Sequence, residues 1–392
     1  MISDNKFIEQ SGIISYGRDV LHRDDAPVRV FGGIYDYGQL EEKNETIVYG
    51  GLITNHWGHF LVDFTTRLWY VLECVEEYRV AFVVRENQHL QLISNISRFL
   101  ELLGISKERV LFINKPTQFS RVIVPECAYI TNRYYSHKFL SVFDAVAEAA
   151  LKSVSEITFE AEKVYFTRNG WHKAQSSEAG EEILVDLFKA NGFRVISPEK
   201  CTLDQQIAII RNSRIVAGIE GTIPHNMLFA DNGQKLLIIN KTYNVNSMQR
   251  DINIMRKLDV TFVDAYISVL PVPMGDGPFT LIYSEPLNRF LEEEAWKKPD
   301  SKYTRKEYQS KNIRRVIRIA RRNIGTGKMN INYIADEGNS AYFDPQHLLM
   351  YYSKFYTEVE RITLIEKMQA QIMHIYNFMR KVQYRLKDKL RK

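Results

Sequence analysis

The 392-residue chain is poor in cysteine: only Cys74, Cys127 and Cys201 are present. They are far apart and odd in number, which excludes a disulfide framework and any cysteine-based metal spacing. That usage points to a reducing, cytoplasmic setting. No apolar run reaches the roughly 18 residues that span a bilayer. The opening stretch, MISDNKFIEQSG, is polar and does not read as a secretory signal. The sequence has no GxGxxG and no P-loop, so nothing supports phosphate cradles of those kinds. Internal repeats and low-complexity segments are also missing.

What is present is ordinary globular composition, 45% hydrophobic and 25% charged. The length suggests two domains with an appendage. The net charge of +5 conceals an asymmetry. From Ser301 onward there are 20 Lys and Arg against 8 Asp and Glu, a net of +12, while the first 300 residues carry 32 against 39, a net of −7. A basic tail on a slightly acidic body predicts an anionic partner for the tail. Its arginines lack interleaved aromatics and no nucleic-acid motif occurs, so no nucleic-acid partner is expected.

The first 50 residues are rich in turns and aromatics, as in RVFGGIYDYGQL. HFLVDFTTRLWYVLECVEEY follows with helical spacing, placing Phe60, Phe64, Leu68, Leu72 and Val75 on one stripe. Strand and helix then alternate: RVAFVV, a helix closed by Gly104, RVLFIN, RVIVPE and a helix near 140–153. The alternation restarts with KVYFTR, a helix capped by Gly192, RVISPEK, LDQQIAIIRNS, RIVAGIEG, a helix start at PHNMLFA, and KLLIIN. This pattern predicts an α/β protein with largely parallel sheets. LPVPMGDGP, at 270–278, reads as a linker. The expected domains are 1–153, 154–284 and a basic helical tail, 285–392. In the tail, residues 313–324 pattern as a basic amphipathic helix suited to an anionic membrane surface. A heptad-like series over 362–386 suits either a homodimer or docking on the body.

Three stretches carry candidate chemistry. NHWGHFLVDFTTRLW, residues 55–69, sets His59, Asp63 and Arg67 four residues apart, on one helical face if the segment is helical. Such groups are costly to bury without partners. Lining a cleft, Asp63 or His59 would serve as a general base, with the other orienting it, and Arg67 would hold Asp63 ionised. In VYFTRNGWHKAQ, Arg168 follows a strand and Lys173 lies beyond the turn; an arginine there suits a phosphate. In VAGIEGTIPHNMLFA, a strand runs into Glu220, Gly221 and Thr222, with Pro224, His225 and Asn226 next, and the N–H groups of that helix start suit a diphosphate.

Together these stretches resemble glycosyltransferase family 61. His59, Phe60, Asp63 and Arg67 match its first motif. Tyr165 and Arg168 match the second, with Glu181 and Glu182 near its acidic element. Gly192-Phe193 and Gln205 or Gln206 follow in order, and Gly221, Asn226, Leu228 and Phe229 match the last motif. The resemblance covers about residues 30 to 245. It departs at Glu220, where the family has histidine, at Ile223 in place of the second glycine, and at His225 in place of threonine. It implies a GT-B-like fold of two Rossmann-like domains facing a cleft, the first on the acceptor side and the second holding the nucleotide-sugar. It also implies inverting transfer from a nucleotide-diphosphate donor, commonly a UDP-sugar, with no cofactor and no required metal; the chain has no obvious DxD. A bacterial capsular or surface glycan, free or lipid-linked, is the implied acceptor, assembled in the cytoplasm or peripherally at the inner membrane face. On the chemistry of the residues themselves, the assignment is Asp63 as base with His59 as the alternative, Arg67 as electrostatic partner, and Arg168, Lys173, Glu220, Gly221, Thr222, His225 and Asn226 at the donor. A non-catalytic polysaccharide- or nucleotide-binding scaffold is the competing expectation.

Overall fold

The computed structural model describes residues 2–3, 6–7, 40–84, 91–154, 162–168, 178–242, 246–266, 279–298, 301–304, 312 and 315. Lys173, the 270–278 linker, the 362–386 series and, apart from Arg315, the 313–324 stripe lie outside the described residues. The chain divides into two compact units. One comprises Met1–Phe166, Ile196–Ile238 and Asn246–Thr261; the second comprises Thr167–Val195, Ile239–Val245 and Phe262–Lys392.

The architecture is mixed α/β with parallel sheets. The first sheet has four strands, β1 (Glu41–Leu52), β2 (Arg79–Val83), β3 (Val110–Ile113) and β4 (Thr117–Ile123), all parallel and ordered β3-β2-β1-β4. Residues 47–51 of β1 are buried, as the apolar run IVYGG requires of a central strand. Gly50 and Gly51 give β1 its exit. A Cβ on Gly50 would lie 2.5 Å from the Phe82 ring, and Gly51 has φ +98° beside a register shift. This bulge bends β1 just before its last pairs, Gly51 with Phe82 and Leu52 with Val83, after which the chain turns toward residues 53–59. Because the strand order reverses at β1, that exit is a topological switch point, where ligands bind beyond strand ends in open α/β sheets.

The second sheet contains β5 (Lys163–Phe166), β6 (Arg194–Ile196), β7 (Ile215–Ile219), β8 (Lys235–Asn240) and β9 (Asp259–Asp264), ordered β6-β5-β7-β8-β9, with β5 and β7 parallel. Its order reverses between β5 and β7. Arg168 follows the first of these strands and Glu220 the second.

Beside a smaller cluster that joins Ile47, Ala81 and Leu111 of the first sheet, the main core cluster of the first unit spans residues of both sheets. At its centre Phe60, Phe99, Phe143 and Phe229 meet largely edge to face, with ring centroids 5.1 Å (Phe60–Phe99), 5.7 Å (Phe99–Phe143) and 5.4 Å (Phe143–Phe229) apart. A helix, His137–Ser153, buries Phe139, Val142, Phe143, Val146, Ala147 and Ala150 on one face. Phe60 and Phe229 therefore anchor two of the family-like motifs in one apolar cluster. In the second unit, Phe188, Phe193, Phe290 and Trp296 form a separate aromatic group.

The continuous helix expected over 59–78 is broken. Trp57–His59 is α-helical, Phe60–Phe64 is π-helical, Thr65–Leu68 is a turn, and Trp69–Glu73 resumes the α-helix. Phe60, Phe64 and Leu68 are buried, but Leu72 and Val75 are 41% and 94% exposed. The wider π turn, and Thr65 Oγ1 donating to the Leu61 carbonyl at 2.8 Å, rotate the last turn off the apolar stripe.

Candidate active site

The site begins where the chain leaves β1. Asn55 pins this exit: its Nδ2 donates to the Gln91 carbonyl at 2.7 Å and its Oδ1 accepts from Ile93 N at 3.0 Å. His56 caps the following helix, its Nδ1 accepting from His59 N at 3.3 Å. One turn on, His59 Nδ1 lies 2.7 Å from Asp63 Oδ2. Asp63 is 4% exposed at its side chain and His59 28%. An ionised carboxylate only accepts, so Nδ1 carries the proton of a neutral His59 and the basic lone pair is at Nε2. The π turn is what presents this pair; π-bulges inside helices recur at functional sites.

A second motif meets the first within the same unit. Trp57 Nε1 donates to Asn226 Oδ1 at 2.9 Å. Gly58 approaches Thr222 so closely that a Cβ there would lie 2.9 Å from Thr222 Oγ1. Gly221 has φ +133°, a conformation that suits glycine, and it turns the end of β7 into a short helix, Thr222–His225, followed by a 3₁₀ turn, Asn226–Phe229. Pro224 is the third residue of that helix rather than its first, and with four α-helical residues the turn offers local N–H groups rather than a full helix dipole.

His225 is buried. Its Nδ1 is 2.8 Å from Gln249 Oε1 and its Nε2 is 3.3 Å from Asn246 Nδ2. Gln249 Oε1 accepts and Asn246 Nδ2 donates, so His225 is a neutral Nδ1–H tautomer in this network. Burial first, with the nearby His59 and His56, pushes its pKa down to about 4. Glu220 is also buried and accepts from Asn246 N at 3.0 Å, tying the turn to the 246 segment. Arg67 is buried with its guanidinium 5.4 Å from the centre of the Tyr49 ring.

Arg168 belongs to the second unit. Its Nη1 is 3.1 Å from Glu178 Oε1, and Lys241 Nζ reaches the same oxygen at 2.9 Å. Arg168, Glu178 and Lys241 are 11%, 4% and 2% exposed at their side chains, a buried trio with a net charge of +1. The Arg168 N–H donates to Glu181 Oε1 at 2.7 Å. The structure thus brings together His59 and Asp63, and sets Gly221, Thr222, His225 and Asn226 beside residues 57–58. Lys241 and His56 were not singled out from sequence. Nothing in KLLIINK marks its last lysine as buried, and the capping role of His56 depends on where the helix starts.

Among the described residues, no group of three or more His, Cys, Asp and Glu side chains is placed to hold a metal ion, and no helix is long and apolar enough to cross a membrane.

Residues 57–237 match the family model described as Glycosyltransferase 61, a segment that runs from the helix start at Trp57 into β8. The match supports a glycosyltransferase, an enzyme class that takes a sugar donor and a glycan acceptor. A search of curated proteins found no match.

Proposed function

We propose that the chain is an inverting glycosyltransferase that moves a sugar from a nucleotide-diphosphate donor, a UDP-sugar, to a growing bacterial surface or capsular glycan. The observation that carries this reading is the His59–Asp63 pair at 2.7 Å, inside the matched family segment and beyond the switch-point strand of the first sheet. His59 is the base in this scheme. Its Nε2 takes the proton of the acceptor hydroxyl as that oxygen attacks the anomeric carbon. The bond from that carbon to the donor diphosphate breaks, and its electron pair leaves with the diphosphate. Asp63, more buried than His59, orients the ring and stabilises the imidazolium that forms. The N–H groups of the Gly221–Asn226 turn stabilise the leaving diphosphate, and Arg168 and Lys173 are separately assigned to donor phosphates. Glu220 holds the turn in shape.

The two sheets, each with a strand-order reversal, support a GT-B-like pairing of Rossmann-like domains, with residues 1–153 on the acceptor side and 154–284 on the donor side. Transfer is independent of metal in this scheme, and the basic tail keeps the enzyme peripherally at an anionic membrane face. The alternative, a non-catalytic polysaccharide- or nucleotide-binding scaffold, is separated from the proposal by turnover. A positioned base contributes about 10²- to 10⁴-fold. His59→Gln and Asp63→Asn are expected to lower sugar transfer by that order while donor affinity, measured separately, is retained. Transfer equal to wild type in His59→Gln removes the base assignment.

A further inference from the structure

His56 and His59 are neighbours of opposite polarity. Their ring centroids are 4.4 Å apart, with planes tilted by 53°. His59 donates its Nδ1–H to Asp63, so the ring's lone pair is at Nε2. His56 does the reverse: its Nδ1 accepts from the His59 N–H, so in the neutral ring the proton sits on Nε2. Burial, and then the nearby His59, hold the His56 pKa below the ordinary histidine value. His56 is nevertheless exposed as a residue. Of these two neighbouring rings, one therefore carries its lone pair and the other its proton at Nε2.

Adjacent hydroxyls of a sugar ring present the complementary pattern, since each oxygen both donates and accepts. We propose that His56 is a second catalytic residue, whose Nε2–H donates to the acceptor sugar's hydroxyl next to the one deprotonated by His59, so that the acceptor site selects a vicinal diol. This rests on the transferase reading above and adds to it a substrate class and a residue. No bond is made or broken at His56. It fixes the sugar so that the attacking oxygen stays within reach of His59 Nε2, and near-attack positioning of this kind is where orientation contributes to rate.

The test separates the donor from the cap. His56→Asn keeps an oxygen that accepts from His59 N, because asparagine is a good N-cap, and removes the ring with its Nε2–H; the amide N–H of asparagine takes the place of ring Cδ2, one atom short of that donor. Long-range ¹H–¹⁵N spectra of the full chain are expected to show His56 protonated at Nε2 and His59 at Nδ1; a His56 ring protonated at Nδ1 near pH 7.5 overturns the inference outright. In transfer assays with methyl glycosides as acceptors, His56→Asn is expected to lose about 10-fold in kcat/KM at unchanged thermal stability, as for one lost hydrogen bond. That loss is expected to vanish on the monodeoxy glycoside lacking the neighbouring hydroxyl. Wild-type kinetics in His56→Asn leave His56 a cap alone and overturn the inference while sparing the transferase reading. A wild-type chain that transfers no sugar to any of these acceptors overturns both.

Discussion

His225 shows how a single residue records its surroundings. It is buried, uncharged and enclosed by Gln249 and Asn246, with a pKa pushed down to about 4 from an ordinary 6.5. Between pH 6.5 and about 4 the unfolded chain takes up a proton that the folded chain refuses. Stability therefore falls as pH drops through that window and is unaffected by this group above it. The full effect is on the order of 3 kcal/mol at the acid end. Urea midpoints measured from pH 7 to 4.5 are expected to decline more steeply in wild type than in His225→Asn; parallel profiles refute this assignment. At this scale the sequence was partly informative. His59 and Asp63 stand out because ionisable groups interrupt an apolar run, and their spacing of four brings them together on a helical turn. The balance between them is not in the spacing: it comes from Asp63 being 4% exposed against 28% for His59. His225 reads as a departure from a family motif, and only packing reveals that it holds residues 246–249.

At the scale of elements, the alternation of strands and helices was legible because strands such as RVAFVV and KLLIIN are short apolar runs and helices such as LDQQIAIIRNS keep a 3.6-residue period. The segment 57–73 was not. Its apolar residues fit one straight helix, yet a π turn and the 65–68 turn divide it, since Phe60 must reach Phe99 while His59 and Asp63 pair. The first turn also rests directly on Thr222. A methyl on Gly58 would meet Thr222 Oγ1 at 2.9 Å and Cγ2 at 3.2 Å. Gly58→Ala is expected to cost about 1–3 kcal/mol by overpacking. Thr222→Ala in the same chain is expected to recover most of it, because the clashing atoms are gone. Thermal denaturation of the single and double variants checks this, and a Gly58→Ala protein as stable as wild type contradicts the contact.

For the whole molecule, composition and charge describe what local patterns do not. Two parallel sheets ordered β3-β2-β1-β4 and β6-β5-β7-β8-β9 form the α/β body that the alternation predicts. Strand order itself is invisible in sequence, because it depends on which crossovers the packing accepts. The charge asymmetry is visible there: residues 301–392 carry a net +12 against −7 before them. Each Lys or Arg near an anionic bilayer contributes about 1 kcal/mol. The full chain is expected to sediment with anionic vesicles and much less with neutral ones, with the difference shrinking at high salt. Equal recovery from both vesicle types refutes the peripheral-membrane proposal. The claim on which the rest depends is that this body binds an activated sugar, and calorimetric titration of wild type and Arg168→Ala with UDP, CDP, GDP and ADP, with and without EDTA, tests it most directly. Tight, EDTA-insensitive binding of one diphosphate, UDP in this account, weakened in Arg168→Ala, is the predicted result. Failure of all four to bind would contradict the account and leave His59 and Asp63 as a structural pair.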